Sequence, residues 1–329
     1  MSTNQNKVRA PRNRTLVLTE NDRRRLRASL VKTPLKQVPL SGGIVLGDSL
    51  ACASSLPTEH FDLLFLDPPY NLNKDFNGLS FAKMAIGDYA KWLSRILEAF
   101  KPSLKHTATI YICGDWNSSP AIFAAASEHF IVRNRITWER EKGRGARRNW
   151  KNSSEDIWFC TMSNEYCFNV DAVKVRRRVI APYTNADGSP KDWKRTEQGG
   201  FRDTHPSNLW TDITIPFWSM RENTDHPTQK SEKLIAKLLL ASTEVGARVL
   251  DPFLGSGTTC VVAKKLDRQA LGIEINEEYA LWAARRLELA EMERGIQGYT
   301  DGVFWERNTL AAQCQHGTAQ DAHLSQADP

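Results

Sequence analysis

Hydrophobic and polar positions fall into two kinds of block along this chain. Short apolar runs read as strands: "GGIVLGDSL" (42–50), "FDLLFLD" (61–67), "ATIYICG" (108–114), "FIVRNRITWE" (130–139), "DIWFCTM" (156–162), "ARVLD" (247–251) and "ALGIEI" (270–275). The unbroken run at 61–67 is that of a strand buried on both faces of a parallel sheet. Between them lie helical stretches. "DYAKWLSRILEAF" (88–100) puts Tyr89, Trp92, Leu93, Ile96, Leu97 and Phe100 on one face, and "PAIFAAASEH" (120–129) follows. "SEKLIAKLLLAST" (231–243) reads as amphipathic, with Ser231 as N-cap and Leu234, Ile235, Leu238 and Leu239 inward. "TTCVVAKKL" (258–266) and a long helix over 277–294 complete the set. Strands alternating with helices predict an α/β protein with an open, doubly wound sheet.

The pattern also marks where regular structure stops. Residues 1–40 show no sustained period beyond a short helix at 20–31 and read as a flexible or loosely docked basic arm. "NLNKDFNGLS" (71–80) reads as a polar loop. Periodicity fades over 171–222 and returns at 228, and residues 295–329 read as a peripheral tail. The expected division is therefore 1–40, 41–170, 171–222, 223–294 and 295–329.

Composition sets bounds. Hydrophobic residues are 41% of 329, enough for one large α/β domain with appendages or for two domains. No run approaches the roughly 18 apolar residues of a membrane span, and the opening "MSTNQNKVRAPRNRTL" lacks the apolar stretch of a signal peptide. The six cysteines (52, 113, 160, 167, 260 and 314) form no C-x-x-C pair and read as reduced thiols of a cytoplasmic protein, with no metal site expected. Charge changes the picture more. The net +6 is uneven: residues 1–40 hold 10 Lys/Arg against Glu20 and Asp22, a net +8, and residues 133–202 hold 16 basic against 9 acidic, a net +7. Two basic patches on a near-neutral body point to a polyanionic partner. A solvated tail and an ordinary charged face are the plain alternative.

Two strand ends carry chemistry. In "VLDPFLGSGTT" (249–259), Asp251 closes a strand, Gly255-x-Gly257 follows, and a helix begins. Glycines there let backbone pass close to a ligand, and a helix N-terminus favours a negative group. The next strand ends in Glu274, 17 residues after Gly257. That is near the offset at which an acid grips ribose hydroxyls in nucleotide-binding βαβ units. An adenosine-type cofactor is the expectation, against a tight turn with a surface glutamate. Cys260 occupies the place of the third glycine of the dinucleotide fingerprint, which disfavours a nicotinamide cofactor.

The other strand end reads Asp67-Pro68-Pro69-Tyr70. A strand-end aspartate ordinarily bonds a backbone N–H one or two residues on, and prolines have none. Asp67 and the Pro68 carbonyl thus form a pair of acceptors on a stiff segment, with the ring of Tyr70 beside them. Their complement is a planar group bearing an NH₂, such as the exocyclic amine of a nucleobase. A rigid Pro-Pro turn with an exposed aspartate is the alternative.

These motifs together resemble those of the S-adenosylmethionine-dependent DNA amino-methyltransferases. "DPPY" (67–70) is similar to their catalytic motif, "DPFLGSGTT" (251–259) to their cofactor loop, and "HPTQK" (226–230) to a further cofactor-side motif. The order, catalytic motif first and cofactor loop late, is that of the β class, and the resemblance spans about 42–290. It implies a mostly parallel, seven-stranded Rossmann-like sheet with an inserted DNA-recognition region. It also implies roles. Asp67 and the Pro68 carbonyl accept hydrogen bonds from the target amine, with Pro69 stiffening the segment and Tyr70 stacking on the base. Phe253, Gly255, Ser256 and Gly257 lie against the methionine part of S-adenosylmethionine, with Asp251 and Asn276 adjoining, and Glu274 holds the ribose. Asp48 sits near the adenine, a structural strand-end role being its alternative. His226, Thr228 and Lys230 close over the cofactor carboxylate. Double-stranded DNA is the implied partner, met by Arg140, Lys142, Arg144, Arg147, Arg148 and Lys151 and by Arg176, Arg177 and Arg178. Aspartate rather than serine at position 67 favours adenine N6 over cytosine N4. A non-catalytic nucleic-acid-binding subunit is the rival from another class. Neither a companion restriction endonuclease nor a homodimer is decided by these residues.

Overall fold

The computed structural model of this chain describes residues 10–33, 42–76, 78–140, 148–180, 182–196, 199–307 and 309. Nine strands form its main sheet: β1 (Val31–Lys32), β2 (Gly43–Leu46), β3 (Phe61–Leu66), β4 (Leu104–Gly114), β5 (Ile131–Glu139), β6 (Ser154–Thr161), β7 (Leu209–Trp210), β8 (Arg248–Asp251) and β9 (Gln269–Glu274). Their order is β1-β2-β9-β8-β3-β4-β6-β5-β7. Every neighbouring pair is parallel except the two that β6 makes, with β4 and with β5. β1 and β7 are two-residue additions at the edges. Within them lies the mostly parallel seven-stranded sheet that the resemblance implies.

Among the described residues the α-helices are α1 (Glu20–Arg27), α2 (Ser49–Ala53), α3 (Ile86–Phe100), α4 (Ser119–His129), α5 (Glu232–Ser242), α6 (Thr258–Lys265) and α7 (Glu277–Met292). β3 shows why the apolar run at 61–67 does not alternate. Leu64 and Leu66 pack with Tyr89, Leu93 and Leu97 of α3 and Ile122 of α4. Leu63 and Phe65 point the other way, into a second core with Leu234 and Leu238 of α5 and Val262 of α6. Both faces are covered, so both parities are apolar.

Four expectations are corrected. First, residues 10–33 are docked rather than loose. Thr19 and Asp22 cap α1 reciprocally, and Leu18, Leu26 and Leu30 are buried in a cluster with Tyr279, Ala280 and Ala283 of α7. Arg23, Arg25 and Arg27 pair with Glu278, Glu288 and Glu277 on α7, so three of the arm's cations are answered within the molecule. Second, the 71–80 loop contains a strand pair, Lys74–Phe76 with Leu79–Phe81. Third, part of 171–222 and part of the supposed tail form one five-stranded sheet. Its order is Lys194–Thr196, Gly199–Thr204, Val175–Arg178, Val303–Trp305 and Tyr299–Thr300, and Phe304 and Trp305 are fully buried. Pairing of Val175 with Phe304 joins segments too far apart in the chain for a local pattern to reveal.

Fourth, α5 is buried on its charged side as well as its apolar one. Lys233 and Lys237, on an amphipathic helix whose inward face reads as Leu234, Ile235, Leu238 and Leu239, both reach Asp212, at 2.8 and 3.0 Å. The Lys237 ammonium also lies 4.6 Å from the centre of the Trp210 ring. Burial alone would raise the Asp212 carboxyl, but the two ammonium groups outweigh it and hold it down to about 2.

The docking of the arm gives a direct test. Leu26 is wholly buried, so Leu26→Ala is expected to lower the unfolding free energy by about 2–5 kcal/mol in a urea titration. A change below about 0.5 kcal/mol would return the arm to a loose tether.

Candidate functional site

The sheet order positions the site. β2, β9, β8 and β3 are consecutive parallel neighbours, so their carboxyl ends line one edge at a spacing of about 5 Å. That edge is where open α/β sheets bind ligands. Asp48 follows β2, Glu274 ends β9, Asp251 ends β8, and Asp67 follows β3. The turns that leave these strands line one cleft of about 260 Å³, joined by His226, Thr228, Lys230 and Tyr279. Two motifs almost two hundred residues apart thus share one space.

At the β3 end, Asp67 does find donors, but none from its local backbone. Lys230 Nζ donates to Asp67 Oδ2 at 2.6 Å. The Tyr70 hydroxyl lies 3.2 Å from Asp67 Oδ1 and 3.0 Å from Glu155 Oε2, so its one proton serves one carboxylate or the other. Lys230 Nζ is also 3.5 Å from Glu155 Oε2, and Arg140 pairs with the other oxygen of Glu155. Tyr89 donates to the Pro69 carbonyl at 3.0 Å, while among the described residues no donor reaches the Pro68 carbonyl. Asn71 is buried and exchanges hydrogen bonds with the backbone of Met84 in both directions, which pins the segment behind Tyr70. The Lys230 ammonium and the Glu155 carboxylate are both about 95% buried. Burial raises the Asp67 carboxyl, Lys230 opposes that shift, and Glu155 adds to it. Burial alone would lower Lys230, but Asp67 and Glu155 hold it above its ordinary value and therefore charged.

At the β8 and β9 ends, backbone and carboxylates interlock. Glu274 Oε2 accepts the Gly255 N–H and Oε1 accepts the Asn276 N–H, each at 2.8 Å. Burial pushes the Glu274 carboxyl up to about 7. Asp251 accepts the Phe253 N–H at 3.0 Å and the Thr259 hydroxyl, and burial raises it to about 7 as well. The glycines have reasons that the sequence did not show. Gly255 has φ +56°, and a Cβ there would stand 3.1 Å from the His226 ring; Gly257 has φ +87°, and its Cβ would meet Ala283 of α7 at 2.5 Å. What crowds Gly257 is thus the protein's own helix. Beneath the loop, Arg286 donates to the Ser256 carbonyl and the Thr258 hydroxyl, both at 2.9 Å, and pairs with Glu232 at 3.1 Å. The Thr258 hydroxyl in turn donates to the Lys230 carbonyl at 3.0 Å.

The other expected residues fall as follows. His226 is driven down to about 3 by burial, with Lys230 and Lys74 nearby, so its imidazole is neutral; its ring meets Tyr279 edge-on at 4.4 Å. Thr228 lines the cleft. Lys230, expected over the cofactor carboxylate, lines the cleft and reaches Asp67. Asp48 lines the cleft and also caps α2, accepting the Ala51 N–H at 2.8 Å. Asn276 caps α7. Of the basic residues, Lys142, Arg144 and Arg147 lie outside the described residues. Arg148 and Lys151 are exposed. Arg140 is held by Glu155. Arg176 is held by Asp203 at 2.7 Å over the Trp305 ring, and Arg177 lies 3.9 Å from Glu306. Arg176 therefore ties the second sheet together. Sequence reasoning missed Glu155 and Tyr279. Glu155 had a signal, a carboxylate at the head of the apolar run of β6 where the pattern asks for an apolar residue.

Comparison with known proteins follows the same lines. The family described as DNA methylase, the N6/N4 methyltransferases, matches residues 61–285. The chain is 34% identical over 255 residues to the DNA adenine methyltransferase YhdJ of Escherichia coli (strain K12), covering 75% of this chain and 83% of that one. It is 30% identical to the type II methyltransferase M.HpaI of Haemophilus parainfluenzae, covering 74% of each. Among solved structures, the PvuII DNA methyltransferase (cytosine-N4-specific) aligns with TM-score 0.57 at 17% identity, over 76% of this chain and 89% of that one. The M1.HpyAVI–SAM complex aligns with TM-score 0.51 at 23% identity, over 74% and 98%. At these identities the two structures bear on the fold alone.

Asp251 supplies a pH test. Its folded value is raised, so its contribution to stability is present below the ordinary carboxylate value and is lost as pH rises through about 7. Urea denaturation of the ligand-free protein from pH 4 to pH 8 is expected to show the wild type losing on the order of 2–4 kcal/mol relative to Asp251→Asn. Parallel curves for the two proteins would remove the burial argument.

Proposed function

The chain belongs to the N6/N4 DNA methylase family, and we infer that it is a site-specific DNA methyltransferase that moves a methyl group from S-adenosylmethionine to N6 of an adenine lifted out of the duplex. The observation that carries this reading is the single cleft shared by Asp67–Tyr70 and by the Gly255–Glu274 lock. The residues fit the cofactor. Glu274 is oriented by backbone N–H groups, among them those of Gly255 and Asn276, and borders the cleft where a ribose hydroxyl would meet it. Phe253, Ile275 and Tyr279 provide apolar walls, and Asp48 borders the same cleft. S-adenosylmethionine supplies an electrophilic methyl group.

The rest is work for this chain's own side chains. A paired base cannot enter the cleft, so the target nucleotide must leave the stack. Asp67 and the open Pro68 carbonyl accept the two amino hydrogens, which keeps the nitrogen lone pair from delocalising into the ring. Positive charge growing on that nitrogen faces the Asp67 carboxylate, a fixed charge that needs no reorganisation, and it is discharged when the methylated amine gives up one of its two hydrogens as a proton. The hydrogen bonds on the Tyr70 hydroxyl hold its ring as a stacking surface. Most of the acceleration comes from holding two substrates in line. Phosphate contacts fall to exposed cations such as Arg148 and Lys151, with Trp150, 93% exposed between them, offering a ring to unstacked bases. The type II name of M.HpaI supports a restriction endonuclease of the same site as companion, acting with this enzyme in the cytoplasm. Among the described residues no helix is long and apolar enough to cross a membrane.

The test is to methylate duplex DNA in vitro with labelled cofactor, digest it, and identify the labelled nucleoside and its sequence context. N6-methyladenine at one short sequence is expected; N4-methylcytosine as main product would overturn the choice of base. Asp67→Ala is expected to cut methyl transfer by about 10²–10³-fold or more, with calorimetric cofactor affinity within roughly threefold. Glu155 remains to pair Lys230 in that variant, so the fold should hold. Loss of cofactor binding along with activity would move Asp67 to the cofactor side.

A further inference from the structure

Lys230 lines the cleft and reaches Asp67, and that geometry has a use. Its ammonium is almost wholly buried, 2.6 Å from Asp67 Oδ2. It stands in a wall shared by the main cleft and a second cavity of about 70 Å³ lined by Trp138, Arg140, Glu155 and Ile215. An acceptor for an amine and a charged donor thus sit side by side in the place where the target base must present its edge.

Adenine and cytosine both carry, on adjacent atoms, an amino group and an unprotonated ring nitrogen: N6 beside N1, and N4 beside N3. That donor–acceptor pair is the complement of Asp67 beside Lys230. On its Watson–Crick edge guanine sets a protonated N1–H beside its amine, its unprotonated N3 lying on the sugar side, so that edge offers an ammonium no adjoining ring acceptor, and thymine has no amine. Resting on the methyltransferase reading above, we propose that Lys230 donates a hydrogen bond to the ring nitrogen adjoining the target amine, N1 of adenine, and so selects the base edge that Asp67 holds.

The contacts leave room for it. The bond to Asp67 is short, whereas Tyr70 and Glu155 lie 3.3 and 3.5 Å from the ammonium, beyond the usual length of a hydrogen bond. A ring nitrogen can replace either contact without breaking the ion pair. The backbone is fixed for the task, because the Lys230 carbonyl accepts the Thr258 hydroxyl at the start of α6. Asp67 and Glu155 on either side keep the ammonium charged, so it remains a donor and never becomes an acceptor. Lys230 is on this account a specificity residue that touches the base, rather than a clamp on the cofactor.

The test uses duplexes bearing the mapped methylation site with adenine, 1-deazaadenine or 3-deazaadenine at the target, in single turnovers at saturating S-adenosylmethionine, for the wild type and Lys230→Met. Removing N1 is expected to slow the wild type about 10–100-fold, the range for one hydrogen bond to a charged group, while Lys230→Met methylates adenine and 1-deazaadenine at slow rates within about twofold of each other. The ratio of ratios cancels any intrinsic change in amine reactivity. Equal discrimination by wild type and variant, or none by the wild type, would overturn the assignment. If Lys230→Met does not fold, the wild type decides alone: loss confined to 1-deazaadenine supports the proposal, and equal loss on 3-deazaadenine defeats it. Absence of transfer to the ordinary adenine duplex is a different failure, which strikes the enzyme reading and takes this inference with it.

Discussion

The ammonium of Lys230 between the carboxylates of Asp67 and Glu155 is the interaction on which the site depends. Two acids this close and this buried cannot both be ionised without a cation between them. Three distant parts of the chain supply the three charges: the turn after β3, the start of β6, and the segment before α5. Removing the cation would leave two buried anions, a situation that costs far more than the ion pair itself contributes. The arrangement is therefore a strong constraint on how those three segments sit around the cleft that Asp67 and Pro68 line.

The same logic runs under the cofactor loop. Arg286 reaches from α7 to the Ser256 carbonyl, the Thr258 hydroxyl and Glu232, and Lys265 takes the other Glu232 oxygen at 2.7 Å. The Thr258 hydroxyl passes the contact on to the Lys230 backbone. Through these bonds the glycine loop, α5, α6 and α7 share one buried polar network whose members satisfy one another. A shift of the loop would disturb the position of Lys230, and with it the contact to Asp67.

At the periphery, charge serves assembly more than recognition. Arg23, Arg25 and Arg27 bind α1 to α7, Lys233 and Lys237 converge on Asp212 beneath the second sheet, and Arg176 locks onto Asp203 within it. A count of basic residues overstates the positive surface wherever acidic partners come from elsewhere in the chain. The exposed positive surface is correspondingly narrower than the two basic patches of the sequence.

The sequence by itself determined the strands and helices of the main sheet, because each is written in a local period: the unbroken run of β3, the helical face of α3, the glycines before α6. It also determined that Asp67 would find no local backbone donor, since two prolines lie within the reach that matters. What took the place of those donors was not legible. Lys230, Glu155 and Tyr70 meet only because β3, β6 and the segment before α5 are brought together by the sheet order. The burial of Lys233 and Lys237, the docking of the arm on α7, and the pairing of Val175 with Phe304 belong to the same class. Periodicity and backbone hydrogen bonding act over a few residues and can be read from them; ion pairs and sheet edges are satisfied by partners that only the folded chain brings within reach.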